Sequence, residues 1–331
     1  MRDYNGKKIY LGIDVHKKTY SVTAILEGQV IKKDTLVAHP EKLVAYCHKY
    51  FPGAIIVSAY EAGFSGFYLH RYLKEHKIQN YVIHAAGIEI ASGDKVKTDK
   101  RDSLKLATQL SVGRLKSIYI PSVKQELNRG LSRFRNTLVS HRVRIGTQLK
   151  AFLFLYGFIS AADDRGISRK WIEEIKSKEM PEEAKYVVLQ YIELWNHISL
   201  KIKEVDGQLK IQANKDVALE RIYRSAPGIG PCNARTLANE LGDMSQFKNE
   251  RQLFSFTGLT PSQYSSGEHV RLGHISRQGN PLLRKILVQA AWVSIRQDEH
   301  LEKAFHRIAE TQGAKRAIVA VGRRLIGHIR A

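Results

Sequence analysis

The chain has 331 residues, of which 53 are Lys or Arg and 32 are Asp or Glu, so its formal net charge is +21. Hydrophobic residues make up 43% of it, which is enough for folded cores and excludes a disordered polybasic protein. Two cysteines, Cys47 and Cys232, exclude a disulfide framework and a cysteine-rich zinc cluster. No stretch of about 18 apolar residues is present, and no signal-peptide pattern is recognised, so we expect no membrane span and a reduced, cytoplasmic setting.

The basic charge is unevenly distributed along the chain. Residues 171–224 are close to neutral, whereas residues 1–120, 121–170 and 225–331 each carry an excess of seven or eight basic residues. Lys and Arg side chains neutralise phosphates, so this charge favours a nucleic acid as partner. An ordinary solvated basic surface is the alternative.

Residues 1–120 alternate between strand and helix patterns. Strands are predicted over 8–14, 21–28, 29–38, 54–62 and 80–85, and helices over 40–51, 65–76 and 98–113. The second and third strands are separated by a short turn with glycine, which indicates a hairpin. This order predicts a mixed α/β sheet flanked by helices, and by topological analogy the ribonuclease-H-like layout.

A long arginine-rich helix is predicted over residues 122–157. Arg129 and Arg133 are four residues apart and share one face of it, and Glu126 is the only acidic residue between 121 and 162. This composition favours a helix that contacts phosphates. A solvated helix face is the alternative.

A second long helix is predicted over residues 181–215. Its apolar residues are spaced three or four apart, at Val188, Ile192, Trp195, Ile198, Ile202, Val205 and Leu209. This spacing is close to the coiled-coil period and predicts a helical hairpin or a dimerising coiled coil. An intramolecular bundle is the alternative.

Three further features follow in the C-terminal part. The PGIGP sequence at 227–231 lies between two helical patterns and indicates a helix-hairpin-helix, in which Gly228 and Gly230 permit the turn and backbone N–H groups can hold a phosphate. A plain helical connection is the alternative. A polar loop is predicted within 252–295, between two apolar helices, and long loops of this kind usually carry function. Residues 314–331 form a basic amphipathic helical pattern.

Four carboxylates are candidate metal ligands. Asp14 and Glu61 each end a predicted strand, while Asp99 and Asp102 share one face at the start of a helix. Oxygen ligands of this type suit Mg²⁺, and paired ions can serve phosphodiester chemistry. The alternative is that the two aspartates stabilise the helix N-terminus or are neutralised by neighbouring Lys and Arg.

Two blocks of sequence resemble a known family. The segments YLGIDVHKK, YEAGFSGFYL and DKVKTDKRDSLKLA resemble the RuvC-like domain of the DEDD transposases of bacterial insertion sequences, the family guided by a bridge RNA. The segments SAPGIGPCNARTLANELGD and FTGLTPSQYSSGEHVRLGHISRQGNPLLR resemble the C-terminal transposase domain of the same family. Piv-type DNA invertases share both blocks. One departure is KTDKRDS, because small residues are usual around the second acid.

The resemblance implies a domain plan and a set of site residues. It implies a RuvC-like DEDD domain over 1–120, a basic helix and coiled coil over 121–218, and a C-terminal transposase domain over 219–331. Its Mg²⁺-binding acids fall on Asp14, Glu61, Asp99 and Asp102. Its nucleophilic serine precedes a glycine and falls on Ser266, with Ser265 as the neighbouring alternative; Arg271 lies close by as a candidate nucleic-acid contact.

The resemblance also implies a reaction and its partners. The expected enzyme cleaves and rejoins donor and target DNA through a phosphoserine link, acts at the nucleoid, and is guided by a structured noncoding RNA. Its active site combines the acids of one protomer with the serine loop of another, in a dimer or tetramer. A DNA invertase of the same chemistry, a hydrolytic RuvC-like nuclease that needs no Ser266, and a catalytically inactive nucleic-acid-binding protein are the alternatives.

Overall fold

The computed structural model describes residues 3–89, 99–266, 269–276 and 278–331, with the backbone alone described at 99, 100, 264–266 and 269–272. The chain divides into two compact units, residues 1–120 and residues 121–331. Within the described ranges, no helix is both long enough and apolar enough to cross a membrane.

The first unit contains a five-stranded mixed sheet. Its strands are β1 (Lys8–Val15), β2 (Thr19–Leu26), β3 (Gln29–Val37), β4 (Ile55–Glu61) and β5 (Gln79–Ile83). The strand order is β3-β2-β1-β4-β5. The first three strands pair antiparallel, whereas β4 runs parallel to β1 and β5 runs parallel to β4. The mixed sheet and the hairpin of β2 and β3 are therefore confirmed.

Helices cover both faces of this sheet. They are α1 (Pro40–Tyr50), α2 (Tyr68–Glu75) and α3 (Asp99–Ser111). Successive strand residues point to opposite faces. Ile9, Leu11 and Ile13 of β1 accordingly pack in one core with residues of α1 and α2, while Val57 and Ala59 of β4 pack on the other side with residues of α3. This alternation places Gly12 and Asp14 on the face that α3 covers.

The second unit begins with two long helices that run antiparallel. They are α4 (Val123–Leu155) and α6 (Glu182–Asn214), and the short helix α5 (Arg169–Ser177) lies between them in the chain. The Ser122 hydroxyl caps α4 by accepting a hydrogen bond from the backbone N–H of Gln125 at 3.1 Å. Contacts run in opposite order along the two helices: Gly146 lies near Trp195, Arg135 pairs with Asp206, and Gln212 bonds to Asn128.

The heptad seam of α6 packs within the same chain. Val188 and Ile192 belong to one core with Leu149 and Leu153 of α4 and with Trp171 of α5. Further along α6, Ile202, Val205 and Leu209 are also buried. The regular apolar spacing is therefore explained by an antiparallel helical pair, the helical hairpin among the predicted possibilities, and does not by itself indicate a dimer.

The rest of the second unit is mainly helical, with one hairpin. Its elements are α7 (Val217–Arg224), α8 (Pro231–Leu241), α9 (Glu250–Thr257), β6 (Pro261–Ser266), β7 (His269–Ile275), α10 (Pro281–Ser294), α11 (Glu299–Gln312) and α12 (Ala314–Arg330). One hydrophobic core joins its helices. The predicted polar loop within 252–295 is wrong in its form, because a two-stranded antiparallel hairpin occupies much of it.

Candidate active site

Asp14 and Glu61 lie at neighbouring strand ends. The register of the parallel pair matches Gly12 with Ala59 and Ile13 with Tyr60, so Asp14 and Glu61 are the next residues of β1 and β4. Both strands run in the same direction, and their carboxyl ends meet at one edge of the sheet. Residue alternation puts both acids on the face that α3 covers. The structure thus brings these two predicted ligands to one edge and one face.

A glycine lets α3 approach β1 closely. A Cβ atom built on Gly12 would lie 2.0 Å from the carbonyl oxygen of Ser103 and 2.4 Å from the backbone nitrogen of Ala107. The buried hydroxyls of Ser103 and Thr23 lie 2.9 Å apart, which ties α3 to β2 as well. Asp102 immediately precedes Ser103, so the helix segment that carries this acid is fixed against the sheet.

A histidine accompanies Asp14. The Nε2 atom of His16 lies 2.9 Å from Oδ2 of Asp14, and the Asp14 side chain is 20% exposed. His16 is not among the predicted site residues. The Asp-Val-His spacing was the available signal, because residues two apart at a strand end project on the same side. A hydrogen bond of this kind orients a carboxylate for a ligand.

The four acids are only partly described. Asp102 is half-buried near the start of α3 and Glu61 is exposed at the end of β4, while the Asp99 side chain lies outside the described part. Among the side chains that the structure describes, no three His, Cys, Asp or Glu residues form a group that could hold a metal ion. The complete four-acid set therefore stays a prediction.

Ser266 is the last residue of β6, at the tip of the β6–β7 hairpin. Across the hairpin, Ser266 pairs with His269 and Ser265 pairs with Val270. The side chains of both serines, and Gly267, lie outside the described part, so the choice between the serines stays a prediction. The backbone places Ser266 at the end of β6, opposite the first residue of β7.

The base of this hairpin is closely packed. A Cβ on Gly279 would lie 2.5 Å from the Ser255 carbonyl oxygen, and one on Gly258 would lie 2.3 Å from the Gln278 carbonyl oxygen. Both glycines have positive φ, +84° and +70°, a conformation that other residues rarely adopt. The backbone N–H of Asn280 also donates to the Phe256 carbonyl at 2.8 Å. The two ends of the hairpin are therefore held together between α9 and α10.

Two family models match the two blocks in order. A model of IS110-type DEDD transposases matches residues 11–157, and a model described as "Transposase IS116/IS110/IS902 family" matches residues 220–307. Together they match more than two thirds of the chain. The chain belongs to the IS110 family of DEDD transposases.

Individual relatives agree with this family. The transposase for insertion sequence element IS1533 of Leptospira borgpetersenii is 25% identical over 309 residues, covering 86% of this chain and 85% of the relative. That for IS1111A of Coxiella burnetii is 29% identical over 238 residues, covering 68% and 63%. That for IS1328 of Yersinia enterocolitica is 31% identical over 186 residues, covering 56% and 54%.

Two arginines of α4, Arg129 and Arg133, bind residues of α8 in this transposase. Arg129 is buried and donates to the backbone carbonyls of Asn239 and Glu240, the latter at 2.8 Å. Arg133 donates to both carboxylate oxygens of Glu240 at 2.7 and 2.9 Å. These hydrogen bonds raise the pKa of Arg133. The prediction that Arg129 contacts a phosphate is therefore wrong, because its guanidinium lies inside the protein and binds α8.

The remaining predicted nucleic-acid contacts of this transposase differ from one another. The PGIGP sequence connects α7 to α8, as expected for a helix-hairpin-helix. Gly228 has φ +77°, and a Cβ there would lie 2.5 Å from the Ala290 carbonyl, so this glycine is needed for packing against α10. Gly230 precedes α8 and faces open space. Arg271 lies in β7, and its side chain is outside the described part.

Proposed function

We propose that this transposase cleaves and rejoins donor and target DNA through a phosphoserine link at Ser266, assisted by Mg²⁺ at Asp14, Glu61, Asp99 and Asp102. The observation that carries the proposal is the placement of Asp14 and Glu61 at one edge and on one face of the sheet, beneath α3. The topology supports a ribonuclease-H-like, RuvC-like identity for this unit.

The donor set fits a hard divalent cation. Carboxylate oxygens are the ligands that Mg²⁺ prefers. Asp14 and Glu61 project from adjacent strands, and Asp102 directly precedes Ser103, whose backbone carbonyl lies against Gly12 of β1. When bound, the ion supplies positive charge that polarises a phosphodiester. His16 then holds Asp14 in a fixed orientation through its ring nitrogen.

Ser266 would supply the nucleophile. Its hydroxyl oxygen forms a bond to the DNA phosphorus and loses its proton, while the bond from phosphorus to the deoxyribose oxygen breaks and that oxygen leaves as a hydroxyl. The bond energy is kept in the phosphoserine ester. The hydroxyl of another strand reverses the step and releases the serine, so strands are rejoined without an external energy source.

The partners follow from charge and from the family resemblance. The net charge of +21 suits DNA and a guide RNA, with sequence choice residing in base pairing. A homo-oligomer, dimer or tetramer, would combine acids and serine from different protomers. Val123, Leu127 and Phe134 of α4 are more than half exposed and lie within about 40° of one another around the helix. This apolar stripe is the surface that we assign to a second copy.

A covalent-trapping assay tests the proposal. Purified protein, donor and target DNA, the RNA flanking the element and Mg²⁺ are mixed and resolved on a denaturing gel. We expect a protein–DNA band that disappears in Ser266→Ala and in Asp14→Asn but persists in Ser265→Ala. Omission of the RNA should abolish the band if guidance is required. Cleavage that survives in Ser266→Ala without a covalent band would establish the hydrolytic nuclease instead, while inversion of a marked segment would indicate an invertase.

A further inference from the structure

A cavity of about 770 Å³, lined by both apolar and charged residues, lies between α6, α7 and α8 of the second unit. It is separate from the acids of the first unit and from the serine hairpin in sequence, and none of its lining residues belongs to either. Its apolar walls include Leu209, Val217 and Pro231. Its volume is in the range of sites that bind small molecules or single nucleotides.

A carboxylate without hydrogen-bond partners lines this cavity. Glu220 is 7% exposed, and neither of its carboxylate oxygens has a hydrogen-bond partner. Arg235 is buried beside it, but the closest approach, from Nη1 to Oε2 of Glu220, is 3.6 Å, and Nε of Arg235 is also without a partner. Burial raises the pKa of Glu220 despite the nearby Arg235. Buried polar groups are usually satisfied, so this carboxylate is suited to a ligand that brings N–H donors.

The rim of the cavity carries positive charge, in contrast to the carboxylate inside it. Lys210, Arg221 and Arg224 line it and are exposed. None of the three forms an ion pair with a carboxylate that the structure describes. Cations placed in this way bind an anionic group such as a phosphate. A complete ligand therefore has N–H donors at one end and a phosphate at the other.

We propose that this cavity binds a guanine nucleotide, with the base at Glu220 and the phosphate at the rim. Guanine presents N1–H and N2–H₂ side by side on its Watson–Crick edge, and a carboxylate accepts both. Adenine, cytosine and uracil do not offer two adjacent donors on that edge. The nucleotide is either free or an unpaired residue of a nucleic-acid strand. The proposal is independent of the serine chemistry, because no residue of the cavity takes part in it.

Binding measurements on the full-length protein test this site. Guanosine monophosphate should bind with saturation, at least about tenfold more tightly than the adenosine, cytidine or uridine monophosphates. Short oligothymidylates with one central guanine distinguish the two sources. If these oligonucleotides bind more tightly than oligothymidylate without guanine, the ligand is a residue of a strand. If guanosine monophosphate binds more tightly than the oligonucleotides, the ligand is a free nucleotide. No saturable binding, or binding that ignores the base, would overturn the proposal.

Two variants separate base recognition from phosphate binding. Glu220→Gln should lower the affinity for guanosine monophosphate about tenfold and abolish the base preference. Arg221→Glu, at an exposed position, should lower the affinity for guanosine monophosphate but leave the affinity for guanosine, which lacks the phosphate, little changed. Glu204→Gln on the exposed face of α6 is the matched control. If Glu220→Gln does not fold by circular dichroism, the result for Arg221→Glu decides.

A cysteine provides an independent readout. Cys232 lines the cavity, whereas Cys47 is buried in the first unit. Guanosine monophosphate should slow alkylation of Cys232, measured by mass spectrometry of the digested protein. Adenosine monophosphate at the same concentration should not. Equal alkylation of Cys232 with and without guanosine monophosphate would exclude occupation of this cavity.

Discussion

Replacing Gly12 by alanine should displace α3 from the sheet. The added Cβ would lie 2.0 Å from the Ser103 carbonyl oxygen and 2.4 Å from the Ala107 nitrogen, whereas non-bonded heavy atoms pack at about 3.5 Å. Both obstacles are backbone atoms, so a side-chain rotation cannot remove them and α3 must shift by more than about 1 Å. Overpacking of this kind costs about 1–3 kcal/mol of unfolding free energy. Displacement of Asp102 by about 1 Å is expected to lower the cleavage rate by about 100-fold.

Urea unfolding and Mg²⁺-dependent strand cleavage measure these two effects. Gly87→Ala is the matched control in the same unit, because a Cβ there would meet nothing closer than 4.0 Å. The control should retain the wild-type unfolding midpoint and rate. If Gly12→Ala also retains both, α3 does not dock on β1 as described and the site geometry must be revised. A loss of stability without a loss of rate would place Asp102 outside the reaction.

Three further predictions concern stability, pH and metal. Glu240 is fully buried and is bound by Arg133 and Asn280, so Glu240→Ala should lower the free energy of urea unfolding by about 3–5 kcal/mol. Glu204→Ala, which removes an exposed ion pair, should lower it by less than about 1 kcal/mol. Similar losses in the two variants would contradict the role of the buried pair. Burial raises the pKa of Cys47 from 9.0 to about 12, so the folded state holds this proton more tightly. The contribution of this thiol to the free energy of unfolding is complete below pH 9 and should fall by about 1.4 kcal/mol per pH unit between pH 9 and 12. Cys47→Ala should remove this part of the pH dependence of unfolding. An identical pH dependence in the wild type and in Cys47→Ala would refute the prediction. Chelation of Mg²⁺ should abolish the covalent protein–DNA band, and readdition should restore it; a band that persists in chelator would exclude the metal-assisted step.

The strands of the first unit were predictable because local patterns determine them. Each core strand is a short apolar or alternating run bounded by turn residues, and parallel strand ends necessarily share an edge, which led to Asp14 and Glu61. The docking of α3 on β1 was not predictable, because its local signal is a single glycine at position 12.

Other features depend on contacts that are distant in sequence. Arg129 binds the Glu240 carbonyl 111 positions away in the chain, so the composition of α4 alone does not reveal that this arginine is buried. The β6–β7 hairpin is not predictable from the sequence, because its residues are largely polar and lack the alternating apolar face of a half-buried strand. The heptad pattern of α6 predicts its apolar seam, but spacing alone does not show whether the seam meets the same chain or another.

The closely packed base of the β6–β7 hairpin fixes its orientation at one end, so a small change of angle there moves the far end by a larger distance. Six residues of β6 span about 20 Å, so a rotation of about 5° at the base would move Ser266 by nearly 2 Å. Gly258 and Gly279 set the angle of that base. A substitution at either glycine would therefore displace the proposed nucleophile, Ser266, by more than it displaces the base of the hairpin. It would change the position of Ser266 before it unfolded the helices that hold the hairpin.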